Sequence, residues 1–152
     1  MSMDAVGIKG SFRLQITEDD KIVGDSGWWT NQITNEGFRA MIRAVSGITG
    51  SSQITHLALG TGGAPAAADT TLGGEVVKRA AVTAATSSTS KAVQFTGTFD
   101  SANSFVTSTQ NISNIGLFAT SSSGTLFAGN TFASSSCATN QSVNVTYVLS
   151  WS

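Results

Sequence analysis

From Ser101 to Ser152 the chain contains no Asp, Glu, Lys, Arg or His. Ser, Thr and Asn dominate that stretch, and apolar residues recur through it at alternate positions. Alternation with period two is the pattern of a strand that packs on one face and meets water, or a neighbouring subunit, on the other. A stretch with no ionisable group offers little to acid–base chemistry, metal binding or phosphate binding. This part of the chain therefore speaks for sheet and for a structural or binding role.

The strongest instance is the last run. Val143, Val145, Tyr147, Leu149 and Trp151 share one face, with Asn144, Thr146 and Ser150 on the other. Earlier runs read the same way: Ser11–Thr17, Ile22–Trp29, Ile54–Leu59, Glu75–Ala84, Val93–Phe99, Ile112–Phe118, and Thr125–Phe132 returning as a hairpin after the Ser121–Gly124 turn. One helix interrupts them, near residues 35–46. Thr34 is placed to cap it, Glu36 suits the positive end of its dipole, and Gly47 is placed to end it. Phe38, Met41, Ile42 and Val45 fall on one helical face, with Arg39 and Arg43 opposite. Gly37 weakens the first turn by ~1 kcal/mol relative to Ala, which implies a packing reason for it. Seven or eight strands with one helix predict a mainly β fold, an antiparallel β-sandwich or jelly roll. A length of 152 residues fits one domain spanning 1–152, with a short N-terminal arm at 1–8.

Composition narrows the function classes. Charged residues make up 11% of the chain and the formal net charge is −1. A nucleic-acid binder needs a basic surface to displace counterions, so none is expected as a partner. No run approaches ~18 apolar residues, so no membrane span is expected. Met1-Ser2-Met3-Asp4 lacks a basic region followed by an apolar stretch, so no secretory leader is expected and folding in a cytoplasm is. Low charge suits a protein that spends its life against other subunits.

Candidate chemistry is sparse. Cys137 is the one cysteine; it cannot form an internal disulfide, and a small buried thiol is the favoured reading. His56 is the one histidine, and nothing nearby completes a nucleophile–base pair. Gly60-Thr61-Gly62-Gly63 fails the Gly-x-Gly-x-x-Gly spacing, because position 65 is Pro. Asp69 and Glu75 are too few for a calcium loop. No catalytic residue, metal ligand or cofactor is expected. The elements that suit contact with a partner are Trp28 and Trp29, with either one ring in the core and the other displayed or covered by a partner, or both faces covered as in a strand under the helix, and the long Gly60–Gly74 loop with Pro65 and Asp69. Loops of that length are functional or ordered by a partner.

Several fragments, in order, carry a resemblance: Ile33-Thr34-Asn35-Glu36-Gly37-Phe38, Ile54-Thr55-His56-Leu57-Ala58-Leu59-Gly60, Thr71 to Arg79, Ile112-Ser113-Asn114-Ile115-Gly116-Leu117-Phe118, Gly124-Thr125-Leu126-Phe127-Ala128-Gly129-Asn130, and the closing Val-x-Val-x-Tyr-x-Leu-x-Trp strand. The succession resembles virion proteins of tailed bacteriophages, in particular the tail-collar-fibre N-terminal type of domain. It implies a non-enzymatic virion protein, a homo-oligomer whose partners are the major capsid protein or tail and collar proteins. No fibrous repeat of the kind that follows such a domain in collar fibres is present. A head cement or decoration protein is therefore expected ahead of a tail or collar adaptor, with a carbohydrate-binding module using Trp28, Trp29 or Trp151 behind both.

Overall fold

A computed structural model describes residues 7–48, 53–86 and 89–152. They form a mainly β domain with one α-helix and a single antiparallel sheet of ten strands. The strands are β1 (Ile8–Glu18), β2 (Lys21–Asp25), β3 (Trp29–Thr30), β4 (Gln32–Ile33), β5 (His56–Gly60), β6 (Ala80–Ala85), β7 (Ala92–Phe99), β8 (Gln110–Phe118), β9 (Ala128–Cys137) and β10 (Ser142–Trp151); helix α1 spans Asn35–Ser46. The order across the sheet is β2-β1-β10-β7-β6-β5-β8-β9-β4, with β3 also on β1.

The pairing is nested. β1 pairs with β10, β4 with β9, β5 with β8, and β6 with β7. The chain thus runs out and back like one long hairpin wrapped on itself, which is the logic of a jelly roll. β6 is the corner of the wrap. Ala80 and Ala81 pair with β5, whereas Val82 to Ala85 pair with β7. A strand that serves two sheets in this way folds them face to face. On the opposite side the segment Trp29–Ile33 leaves β1 as β3 and joins β9 as β4.

The core fills the space between the layers. Phe12 of β1 stacks on Tyr147 of the neighbouring β10 with centroids 5.4 Å apart, and meets Phe132 of β9 edge-on at 6.2 Å across the interior. Val143, Val145, Tyr147 and Leu149 are all buried, as the alternation along β10 predicts, and Trp151 is half-buried. Cys137 is a buried free thiol, and burial pushes its pKa up. A smaller apolar cluster, Ala58, Leu72, Phe118 and Leu126, lies on the other face of β5 and β8.

Three expectations need correction. Ile22–Trp29 is not one strand. The Asp25 carboxylate accepts from Gly27 N at 2.9 Å, and Gly27 adopts a left-handed φ of 68°, so the strand breaks at Asp25 and resumes at Trp29. Glu75–Ala84 is a continuous strand only from Ala80, with Glu75 in an isolated bridge to Gly60. Arg79 turns back to Glu75 (2.6 Å), lies 3.5 Å over the Phe118 ring, and donates to Thr120 O (2.9 Å) and Ser123 O (2.7 Å). That set of contacts draws Arg79 back over Glu75, and the chain bends at Val77 before Ala80. The N-terminal arm is the third case. Residues 1–6 lie outside the described residues, but Ile8 already pairs with Trp151, and Gly7 exchanges backbone hydrogen bonds with Ser152.

The helix caps are as expected. Thr34 Oγ1 accepts from Gly37 N at 3.0 Å, and Gly47 ends the helix in the left-handed conformation at φ 65°. Gly37 is buried, and a Cβ on it would run into the Phe127 carbonyl oxygen. Gly37→Ala should therefore destabilise the fold, although Ala is the better helix former by ~1 kcal/mol. Urea unfolding should show a lowered midpoint; a raised one would mean that α1 does not sit this close to Phe127.

Candidate functional site

The residues singled out for contact lie in two segments, the stretch entering β3 and the Gly60–Gly74 loop. Trp28 and Trp29 follow the Asp25–Gly27 turn, which is held firmly. Ser26 N donates to Leu14 O, and Ser26 Oγ accepts from Leu14 N, both at 2.9 Å. The Asp25 carboxylate takes bonds from the Arg13 guanidinium, Gly27 N and the Gln15 amide. Together these hold it well below the usual carboxylate range, the Arg13 bond contributing most. Trp29 Nε1 donates to Ser26 O at 2.8 Å. Trp29 sits opposite Phe12 in the ladder, so it is aimed to the inner side of β1, but at the sheet margin it stays 38% exposed; Trp28 is 54% exposed. Neither ring is core. Both are presented by a rigid turn, which lowers the entropic cost of using them in a contact.

The Gly60–Gly74 loop packs beside this corner. Gln32, three residues beyond Trp29, donates its amide N–H to Pro65 O (3.1 Å) and accepts from Ala67 N (3.0 Å). Asn35 N donates to Ala67 O at 2.8 Å. Pro65 is buried, with its ring against Gly129, so it anchors the loop and is not itself displayed. Asp69 is exposed, but its carboxylate accepts from Ala66 N at 2.8 Å and closes a local turn. Glu75 is engaged elsewhere, with Arg79, so the two carboxylates serve separate purposes. Within the chain the loop is held by side chains of β8. Asn114 is fully buried and donates to Gly63 O (3.1 Å) and Gly73 O (2.9 Å), while Ser113 Oγ donates to Gly62 O (2.8 Å). The loop's two ends pair through Thr61 N to Gly74 O and Gly62 N to Gly73 O. Gly60 lies so close to Asn114 Oδ1 that a Cβ would collide with it.

His56 begins β5, half-buried, with Nδ1 2.8 Å from Thr55 Oγ1. Burial and the nearby Arg79 charge lower its pKa below 6.5. Among the described residues no three His, Cys, Asp or Glu side chains group closely enough to hold a metal ion, and no helix is long and apolar enough to cross a membrane.

One surface was not singled out from the sequence. The helix stripe read as one face is largely bare: Phe38 is 45%, Ile42 66% and Val45 91% exposed, and only Met41 of the set is half-buried against the core. The i, i+4, i+7 spacing of Phe38, Ile42 and Val45 was the signal. Spacing defines a face but not what covers it. No protein-family model matches the chain, and neither a curated protein nor a solved structure matches it.

Two outcomes follow from this geometry. Asn114→Ala should cost about 1–3 kcal/mol, because buried carbonyls lose their donors, and should speed amide exchange at Gly62 well before β10 is affected; unchanged exchange there would mean that the loop is held by something else. For His56, the unfolded chain binds more protons than the folded one between the folded pKa and 6.5. Stability should therefore fall as pH drops through 6.5 and level off below the folded value. His56→Gln should remove that part of the pH profile, and an unaltered profile would assign it to other groups.

Proposed function

We propose that this chain is a non-enzymatic structural protein of a tailed-phage virion, a head cement or decoration protein that stabilises contacts between capsid subunits. It acts as a homo-oligomer beside the major capsid protein, with no nucleic acid, membrane or cofactor. The observation that carries the reading is the ordered set of resembling fragments together with where they lie. The Thr34-Asn35-Glu36-Gly37 segment caps α1, Leu57-Ala58-Leu59-Gly60 is in β5, Asn114 to Phe118 is in β8, and Leu126-Phe127-Ala128-Gly129 leads into β9. These fragments touch one another. β5 pairs with β8, β8 with β9, and Thr34 bonds to Leu126 O and Phe127 O. Four of the resembling fragments therefore meet in one contiguous unit, the loop clamp and the helix anchor, and the closing strand is β10, in the other layer between β1 and β7.

The second reading, a tail or collar adaptor that seats a fibre, is favoured by the kind of domain the fragments resemble. The cement reading needs many weak contacts made in parallel, for which a sparsely charged chain with rigidly held tryptophans is suited. Quantitative mass spectrometry of purified particles separates them. A copy number equal to that of the major capsid protein supports cement. A few copies, localised by antibody at one vertex, assign the chain to the tail. Absence from the particle would overturn both.

A further inference from the structure

We propose that the bare flank of α1 and the groove beside it form the surface on which two copies of this chain pair about a two-fold axis. The proposal rests on the subunit reading above only in expecting copies of the chain to meet. Phe38, Ile42 and Val45, joined by Ile48 just past the helix end at 54% exposure, make an apolar ridge. Their exposed surface is on the order of 400 Å², the size at which a patch on a monomer marks an interaction site. Round the helix from this ridge lies a groove of about 400 Å³. Ala40, Met41 and Ala44 of α1 wall it, and Val93, Leu149 and Trp151 of the sheet line its other side. Among the described residues no ionisable side chain lines the groove.

A convex apolar ridge next to a concave apolar groove is self-complementary. A two-fold axis between them sets the ridge of one copy in the groove of the other, and the reverse. Charge argues for a second copy over a foreign partner. Near a two-fold axis each side chain approaches its own image, so a charge there repels itself. The helix keeps Glu36, Arg39 and Arg43 off the ridge, with Glu36 and Arg39 paired to each other. A partner recognised by its charges would find none to read among the described residues of the groove. Counted from both copies, ridge and groove amount to about 1,000 Å², near the least that a specific interface needs. That is the small end of the specific range, suited to reinforcement inside a larger array.

Sedimentation of the purified chain from about 1 to 200 μM tests this directly. The expected result is a mass that rises with concentration from 15.6 kDa towards twice that value. Ile42→Asp should hold the chain at monomer mass with an unchanged thermal midpoint, since Ile42 is exposed in the free chain. Arg39→Ala, off the ridge, should dimerise as the natural chain does. A natural chain that stays monomeric throughout overturns the proposal and assigns the face to a different protein. Association undiminished by Ile42→Asp overturns it as well. Neither result bears on particle copy number, so the two readings fail separately.

Discussion

The hydroxyl of Thr34 joins three parts of the molecule. It donates to Leu126 O at 2.6 Å and accepts from Gly37 N at 3.0 Å, while the Thr34 backbone N–H donates to Phe127 O at 3.0 Å. The residue is fully buried. One side chain thus caps the helix and fixes its entry onto the chain between β8 and β9. A buried hydroxyl that lost these partners would carry an unmet desolvation cost, so the helix start has little freedom to shift. Gly37 completes the anchorage by letting the first turn approach Phe127 closely. The consequence is asymmetric. The start of α1 is pinned to the sheet, and the rest of it runs out over the groove with its apolar flank uncovered.

The sheet beneath is held together chiefly by nested long-range pairing. β1 and β10, the two ends of the described chain, lie side by side at the centre of one layer, in register from Ile8 with Trp151 to Thr17 with Ser142. Such pairing carries a loop-closure cost before any contact is gained. It is offset by aromatic packing between the layers, above all at Phe12, Tyr147 and Phe132. The edges are managed in different ways. β2 is broken from the regular ladder by a bulge opposite Ile16 and Thr17 and carries Lys21, features that discourage edge-to-edge pairing. The front of β9 is covered by β4. The helix flank has no comparable protection, and that contrast sets it apart as a surface for contact.

Much of this was legible in the residues and some could not have been. The period-two pattern of β10 and both caps of α1 depend on neighbours in sequence, so they could be read directly. Gly37 announced its packing role because a glycine in a first turn needs a reason. The Asp25–Gly27 break was harder to read, since Ile22 and Trp29 both favour strand and the turn depends on a side-chain bond from Asp25 to the backbone. The loop from Gly60 was recognisable as a loop, but its order comes from Asn114 and Ser113, some fifty positions away. Pro65 reads from the sequence as a contact element of that loop and is buried for the same kind of reason: Gly129, in a distant strand, leaves room for its ring. Which side of the apolar helix stripe would be covered is decided by tertiary placement, not by spacing.

The central claim is that α1 is anchored at its start by Thr34 and leaves an apolar flank for another copy of the chain. Hydrogen exchange measured on dilute and on concentrated protein addresses it most directly. The account predicts that amides across α1 slow as concentration rises, while those of β5 and β8 exchange at the same rate throughout. Exchange in α1 that is independent of concentration, or protection that instead grows around Trp28 and Trp29, would contradict it.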